Sequence, residues 1–311
     1  MAGTRDETEA SARPAGDRDS VEDSKTIASG RDLTIPAADG YPLAATVYEN
    51  GGAWLVFNSA TGVKRGFYSA FAGFLASRGF SVVTYDYRGI GGSAPESIRG
   101  FEGRMQDWGK LDFAGVLDWV EQRSPEVLGG IGHSVGGQIL GMVPGAGRLS
   151  CFVGVACQSG WWGYWDPPLQ WILRLLWRAV FPLMVRTLGY VPASRLGMGE
   201  DLPPGIGLEW ARWCRHRHYY RGHLDDTPGF DDFRGPLLAY SFSNDPFGPR
   251  AAVEAWIEWF SKASAEHRHI KAREVGLKRL GHFEFFRRRS AHLFWDPCLD
   301  WLRSSLRMEE R

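Results

Sequence analysis

Residues 127–138 read VLGGIGHSVGGQ, and this stretch decides the fold prediction. The apolar run 127–131 is typical of a buried strand, and a helical pattern follows over 135–142. Between the two lies the sequence GHSVG of residues 132–136, which fits the pattern G-x-S-x-G. In that pattern a strained strand-to-helix turn holds the serine hydroxyl in the open, and the glycines leave room for close backbone approach. Ser134 is therefore a candidate nucleophile.

The chain on both sides of this stretch alternates between short apolar runs and helical patterns. The sequence predicts a hairpin of 32–35 and 43–48, strands over 53–58, 80–85, 127–132, 151–157, 236–242 and 270–275, and helices over 66–78, 107–122, 135–142, 251–260 and 291–306. Such alternation is typical of βαβ units around a parallel sheet. The expected fold class is α/β, with a mostly parallel central sheet flanked by helices.

The alternation stops over residues 158–230, where no clear strand is predicted. We expect 31–157 and 231–311 to form one core and 158–230 to form a helical, Trp-rich cap over the carboxyl ends of the strands. Aromatic residues at the start of this region are expected to line an apolar substrate pocket, with plain cap packing as the alternative; they are Trp161, Trp162 and Trp165. Residues 1–30 are charged and lack an apolar core, which predicts a disordered tail and no signal peptide.

Composition narrows the function classes. Of the 311 residues, 36 are Lys or Arg and 36 are Asp or Glu, so the basic excess of a nucleic-acid binder is missing. The four cysteines lack C-x-x-C spacing and are expected to be free thiols in a reducing, cytoplasmic setting. No phosphate-binding loop, dinucleotide glycine pattern or metal-ligand spacing occurs, so neither a cofactor nor a metal is expected.

Two segments of the expected cap are unusual. Residues 169–191 are apolar enough to suggest a membrane span, but Arg174, Arg178 and Arg186 would each cost about 2.5 to 3.5 kcal/mol in a bilayer centre. We expect an amphipathic soluble helix pair with these arginines outward, and contact with a membrane surface is the less favoured alternative. The Arg- and His-rich run 212–221 is interpreted as a solvated helix face or a cap edge that tolerates anions.

A serine nucleophile needs a base, and the base needs an acid to orient it. His282 follows the last predicted strand, and Asp245 follows the strand 236–242. Both are therefore expected at the carboxyl edge of the sheet, beside Ser134. The chain order Ser134, Asp245, His282 is that of the alpha/beta-hydrolase triad.

The chain resembles alpha/beta hydrolases, in a branch near the serine aminopeptidase and monoacylglycerol lipase groups. The resemblance rests on residues 60–63 (ATGV), 85–93 (YDYRGIGGS), 132–138 (GHSVGGQ) and 281–283 (GHF). It implies an oxyanion hole built from the backbone N–H groups of Val135 and Thr61. Ser59-Ala60 stands where many relatives have His-Gly, and spacing favours Thr61 over Ala60 as the second donor.

The resemblance and the triad together predict a serine hydrolase that cleaves a carboxylic ester or related acyl bond of a small molecule. Thioester or amide cleavage, peptide cleavage and acyl transfer on the same triad are alternatives, as is a binding protein without turnover. Three polar residues of the 85–93 segment, Asp86, Arg88 and Ser93, are interpreted as locking a loop and not as catalysts.

Overall fold

An eight-stranded sheet lies at the centre of the computed structural model, which describes residues 29–308. The strands are β1 (Arg31–Pro36), β2 (Pro42–Tyr48), β3 (Ala53–Asn58), β4 (Phe80–Tyr85), β5 (Val127–His133), β6 (Cys151–Val155), β7 (Pro236–Phe242) and β8 (Ser264–Ile270). Their order is β1-β2-β4-β3-β5-β6-β7-β8. The β1–β2 and β2–β4 pairs are antiparallel, and the other pairs are parallel. The predicted α/β class with a mostly parallel sheet is confirmed.

Helices cover both faces of the sheet and fill the segment between β6 and β7. They are α1 (Ser69–Ala76), α2 (Ala114–Glu121), α3 (Val135–Gln138), α4 (Leu169–Leu175), α5 (Phe181–Leu188), α6 (Pro204–Cys214), α7 (Gly229–Asp232), α8 (Arg250–Ile257) and α9 (Ala291–Leu306). Two π-helical turns, Trp108–Phe113 and Leu176–Val180, precede α2 and join α4 to α5. The predicted helix over 66–78 begins as a 3-10 turn at Arg65–Tyr68.

The central strands separate two apolar cores. Along β3, Trp54 and Val56 pack into one core, whereas Leu55 and Phe57 pack into the other, as the two-residue period of a strand requires. Helices α2, α3 and α8 cover the first core, and α1 and α9 cover the second. Every residue of β3 and β4 is buried, which is why these strands read as continuous apolar runs.

The last strand differs from the prediction. Of the predicted run 270–275 only Ile270 belongs to it: β8 is Ser264–Ile270, and Ala272–Val275 is a 3-10 turn. The strand lies at the sheet edge and pairs with β7 alone within the described residues, so its side chains are exposed or half-buried. An apolar run therefore could not mark it. His267 and His269 lie within this strand, each 2.8 Å from Ser241 Oγ.

The helices α4 and α5 expose apolar as well as charged side chains. Arg174, Arg178 and Arg186 are exposed. On the same helices four large apolar residues are 53–60% exposed; they are Trp171, Ile172, Leu175 and Leu183. Within residues 29–308, no helix combines the length and the apolarity needed to cross a membrane.

Candidate active site

Ser134 lies at the turn between β5 and α3, in a strained backbone conformation. Its φ is 54° and its ψ is −116°, a region that a residue with a side chain occupies only when the surroundings enforce it. A Cβ on Gly132 would lie 2.5 Å from the carbonyl carbon of Gly136, and a Cβ on Gly136 would overlap the Asn58 carbonyl. Both glycines of the G-x-S-x-G pattern are thus required by close backbone approach.

The order of the strands brings the loops after β3 and β7 to this turn. Asn58, the last residue of β3, pairs with Gly132 of β5, so the 59–61 loop begins beside Ser134. His133 pairs with Val155 of β6, and β7 follows β6 in the sheet. The loop after β7 carries Asp245. All these loops leave the carboxyl edge of a parallel sheet, where ligands bind in open α/β folds.

His282 and Asp245 are in direct contact. His282 Nδ1 lies 2.7 Å from Asp245 Oδ2. The other oxygen of Asp245 accepts hydrogen bonds from the backbone N–H groups of Phe247 (2.8 Å) and Gly248 (3.1 Å). Because an ionised carboxylate only accepts, the proton of His282 lies on Nδ1 and its Nε2 is left with a lone pair. This arrangement can orient a general base.

Ser134, Asp245 and His282 are 8%, 7% and 5% exposed. Within residues 29–308 the Ser134 hydroxyl makes no hydrogen bond. The ring of its neighbour His133 lies against the ring of His282, with centroids 4.7 Å apart. Serine–histidine hydrogen bonds are often long in substrate-free enzymes and tighten in the substrate complex. The structure thus brings His282 and Asp245 into contact and places His133, the neighbour of Ser134, against His282.

Tyr68 and His133 link the loop after β3 to the backbone of His282. The Ala60 N–H donates to the Tyr68 hydroxyl (2.9 Å), and that hydroxyl donates to His133 Nδ1 (2.8 Å). His133 Nε2 then donates to the carbonyl oxygen of His282 (2.9 Å). Since a carbonyl only accepts, Nε2 carries the proton of His133. Neither role was predicted from the sequence, because nothing in the local pattern distinguishes Tyr68 from an ordinary core residue.

The buried His133 should make folding stability depend on pH. Burial and the neighbouring His282 hold the pKa of His133 well below its usual range. Below about pH 6.5 this histidine is protonated in the unfolded chain but stays neutral in the folded chain. The contribution of neutral His133 to folding stability is therefore present above pH 6.5 and is lost as the pH falls. We expect the free energy of unfolding to fall by about 2 kcal/mol between pH 6.5 and 5 because of this group. Urea unfolding across this range measures it.

The matched control is His133→Gln, which cannot titrate but keeps an amide able to donate and accept. The slope of its unfolding free energy against pH should be shallower than that of the wild type, whatever its absolute stability. Equal slopes in the two proteins would contradict the assignment.

The loop after β3 has one backbone donor in use and one free. The Ala60 N–H is taken by Tyr68, and the Tyr87 hydroxyl holds the Ser59 carbonyl at 2.9 Å. Within the described part of the chain, the Thr61 N–H donates no hydrogen bond. Val135 begins α3 directly after Ser134. This geometry agrees with the choice of Thr61 over Ala60 as the second oxyanion donor.

Glu200 fastens the segment between β6 and β7 to this loop. Its backbone N–H donates to the Gly62 carbonyl (2.8 Å), and its carboxylate pairs with Lys64 (2.6 Å). The second carboxylate oxygen accepts from the Gly91 N–H (2.7 Å). One side chain thus bridges the segment, the Thr61 loop and the loop after β4.

Asp86, Arg88 and Ser93 make loop contacts. Asp86 Oδ1 accepts from the Arg65 N–H at 2.6 Å, and the Ser93 hydroxyl donates to the Asp86 carbonyl at 2.7 Å. Arg88 pairs with the buried Asp112 at 2.7 Å. These contacts agree with a structural role for the 85–93 segment.

Aromatic side chains surround the His282 ring. Phe247 and Phe283 lie 5.4 and 5.2 Å from it, centroid to centroid, and neither was predicted from the sequence. Of the predicted pocket residues, Trp165 contacts the loop after β7 that carries Asp245 (the acid loop). Its indole N–H donates to the Pro246 carbonyl there (2.7 Å).

The other two predicted pocket residues pack among aromatic residues of their own segment. Trp161 lies 5.2 Å from Tyr164, and Trp162 lies 6.2 Å from Trp171, centroid to centroid. Trp165 is therefore the predicted pocket residue with a direct contact to the loop of Asp245.

Comparisons with known proteins agree with this architecture. The model of the alpha/beta hydrolase family matches residues 50–291. An esterase of Pyrococcus furiosus is 14% identical, covers 96% of this chain and 100% of its own, and superposes with a TM-score of 0.56. A thermophilic esterase from Thermogutta terrifontis is 18% identical, covers 90% of this chain and 100% of its own, and superposes with a TM-score of 0.57. An esterase from Exiguobacterium antarcticum is 15% identical, covers 88% of this chain and 100% of its own, and superposes with a TM-score of 0.56. No curated protein matches the chain. At these identities the structural likeness concerns the fold.

Proposed function

Because the chain belongs to the alpha/beta hydrolase family, we propose that it is a serine hydrolase that cleaves a carboxylic ester or related acyl bond of a small molecule. The observation that carries the proposal is the 2.7 Å contact between His282 Nδ1 and Asp245 Oδ2 beside the strained turn of Ser134. A strained backbone conformation of this kind typically lowers folding stability by about 1 to 3 kcal/mol. A binding protein without turnover has no chemical reason to keep it.

Each residue has one chemical task. The Ser134 hydroxyl attacks the acyl carbon while His282 Nε2 takes its proton, and Asp245 stabilises the imidazolium that results. The backbone N–H groups of Val135 and Thr61 stabilise the oxyanion of the tetrahedral intermediate. His282 then gives its proton to the leaving group, and the Ser134 acyl ester is hydrolysed by a water that His282 deprotonates. Residues 158–230 act in this proposal as the cap of the site.

The surroundings of His282 favour an apolar substrate group. Phe247, Phe283 and Trp165 are the aromatic residues that the structure places around His282 and its acid loop. Within residues 29–308, no charged side chain other than Asp245 contacts His282 in a hydrogen bond or ion pair. We therefore expect uncharged acyl esters to be preferred over substrates that carry a charge next to the scissile bond.

Labelling with a fluorophosphonate probe tests the nucleophile, because the probe forms a stable bond with an activated serine. Wild-type protein should be labelled, Ser134→Ala should not, and Ser150→Ala, which removes an exposed serine, should be labelled like the wild type. Label that persists in a folded Ser134→Ala variant would overturn the assignment. Absence of label on folded wild type would favour a binding protein. A panel of esters, thioesters and anilides then separates the reaction classes.

A further inference from the structure

A shallow pocket that is open to solvent and lined only by arginine and histidine side chains lies in the segment 158–230. Its volume is about 480 Å³, and its lining residues are Arg178, Arg212, Arg215, His216 and His223. Arg178 belongs to the π-helical turn between α4 and α5, whereas Arg212 and Arg215 lie at the end of α6. None of these residues takes part in the proposed ester cleavage.

Aromatic packing brings the arginines together. Trp177 precedes Arg178 and is buried, and its ring centroid lies 4.9 Å from that of Trp210 on α6. Trp213, between Arg212 and Arg215, is also buried and packs 5.8 Å from Tyr219. Buried indoles therefore anchor the backbone on both sides of the pocket, and the exposed side chains of Arg178, Arg212 and Arg215 line it.

No carboxylate balances this charge. Within residues 29–308 Arg178, Arg212 and Arg215 form no ion pair, and no Asp or Glu lines the pocket. The one acidic residue of α6, Glu209, accepts instead from the backbone and side-chain amides of Gln106, at 2.9 and 3.0 Å. Residues 167–199 contain four arginines and no Asp or Glu. The pocket therefore concentrates positive potential that an anion would relieve.

His223 adds an unsatisfied buried atom. Its Nε2 is buried and has no hydrogen-bond partner among the described residues. Its ring lies 4.9 Å from that of His216. Burial, followed by the charges of Arg212 and His216, lowers the pKa of His223. A buried polar atom without a partner costs free energy, and a ligand would satisfy Nε2 only after the His223 side chain turned toward the pocket.

We propose that this pocket binds a phosphoryl group. Three guanidinium groups offer more N–H donors than the two oxygens of a carboxylate can accept, whereas a phosphate presents three or more oxygens and greater charge. None of the proposed catalytic residues lines this pocket, so the binding proposed here goes beyond the proposed hydrolysis.

The phosphoryl group can come from a free ligand or from a lipid headgroup. The exposed apolar residues Trp171, Ile172 and Leu175 lie on the same helical unit as Arg178, as a lipid surface would require. Both sources share the chemistry of the pocket, and two arms of one experiment separate them.

The experiment uses the full chain. Isothermal titration with pyrophosphate forms one arm, and co-sedimentation with phosphatidylcholine vesicles, with and without phosphatidic acid, forms the other. The test variant is R212Q/R215Q. The matched control is R234Q/R288Q, which removes two exposed arginines outside the pocket. R178Q, on the other side of the pocket, is a second test variant. Circular dichroism shows that each variant is folded.

We expect saturable binding in at least one arm, weakened about tenfold or more in R212Q/R215Q and in R178Q and changed less than about twofold in the control. Binding of pyrophosphate identifies a free phosphorylated ligand, and binding of phosphatidic acid vesicles alone identifies a headgroup. No binding in either arm, or equal binding by wild type and R212Q/R215Q, overturns the proposal. Fluorophosphonate labelling of Ser134 is read separately, so failure here leaves the proposed hydrolysis untouched.

Discussion

Replacing His282 with alanine is expected to lower kcat for ester hydrolysis by about six orders of magnitude. Residues of a catalytic triad act as a unit, so removal of the base alone costs nearly as much as removal of the whole set. We propose His282 as the base because Asp245 occupies its Nδ1 and leaves Nε2 for the serine proton. Initial rates on an aryl acetate, such as p-nitrophenyl acetate, measure the loss against the wild type.

His292→Ala is the control, because His292 is exposed on α9 and has no role in the proposed chemistry. It should keep the wild-type rate. If His282→Ala lost less than about a hundredfold, another group would have to accept the serine proton, and the proposed triad would be wrong.

Asp245→Asn is expected to lower kcat by about four orders of magnitude with little effect on the fold. The asparagine oxygen can still accept from the Phe247 and Gly248 N–H groups, so the loop should keep its shape. Its amide would then face His282 Nδ1 as a donor and force the proton onto Nε2. That tautomer cannot take the serine proton. Steady-state kinetics on the same ester, with circular dichroism, separate this effect from unfolding.

Asp226→Asn provides the matched control, since Asp226 is exposed in the segment 158–230. Its rate should equal that of the wild type. A loss below about tenfold for Asp245→Asn would mean that a different group orients the imidazole.

The sequence was informative wherever a site residue directly follows a strand. Ser134 follows β5 and Asp245 follows β7, and a buried parallel strand is readable as an apolar run. The position of the last strand was wrong because β8 is a polar edge strand. His282 was nevertheless predicted correctly as a loop residue, because it follows the last strand whether that strand ends at residue 270 or at residue 275.

Other parts of the site depend on contacts between residues distant in sequence. The Tyr68 hydroxyl meets His133 across 65 residues, and His133 meets the His282 carbonyl across 149. Phe247 packs on His282 through its own turn after Asp245. Local pattern carries no signal for such pairs, because they form only when the sheet order is fixed.

The bridge made by Glu200 bears on how this enzyme could be re-engineered. Its carboxylate and backbone contact Gly62, Lys64 and Gly91, which all belong to the core. A chimaera that carries a foreign 158–230 segment would lose these contacts and loosen the loop of Thr61. Because the proposed mechanism uses the Thr61 N–H and treats this segment as the cap, exchange of the segment is then expected to change turnover as well as substrate choice. A foreign segment should therefore carry a carboxylate at the position of Glu200, and the shape of its pocket is a second criterion.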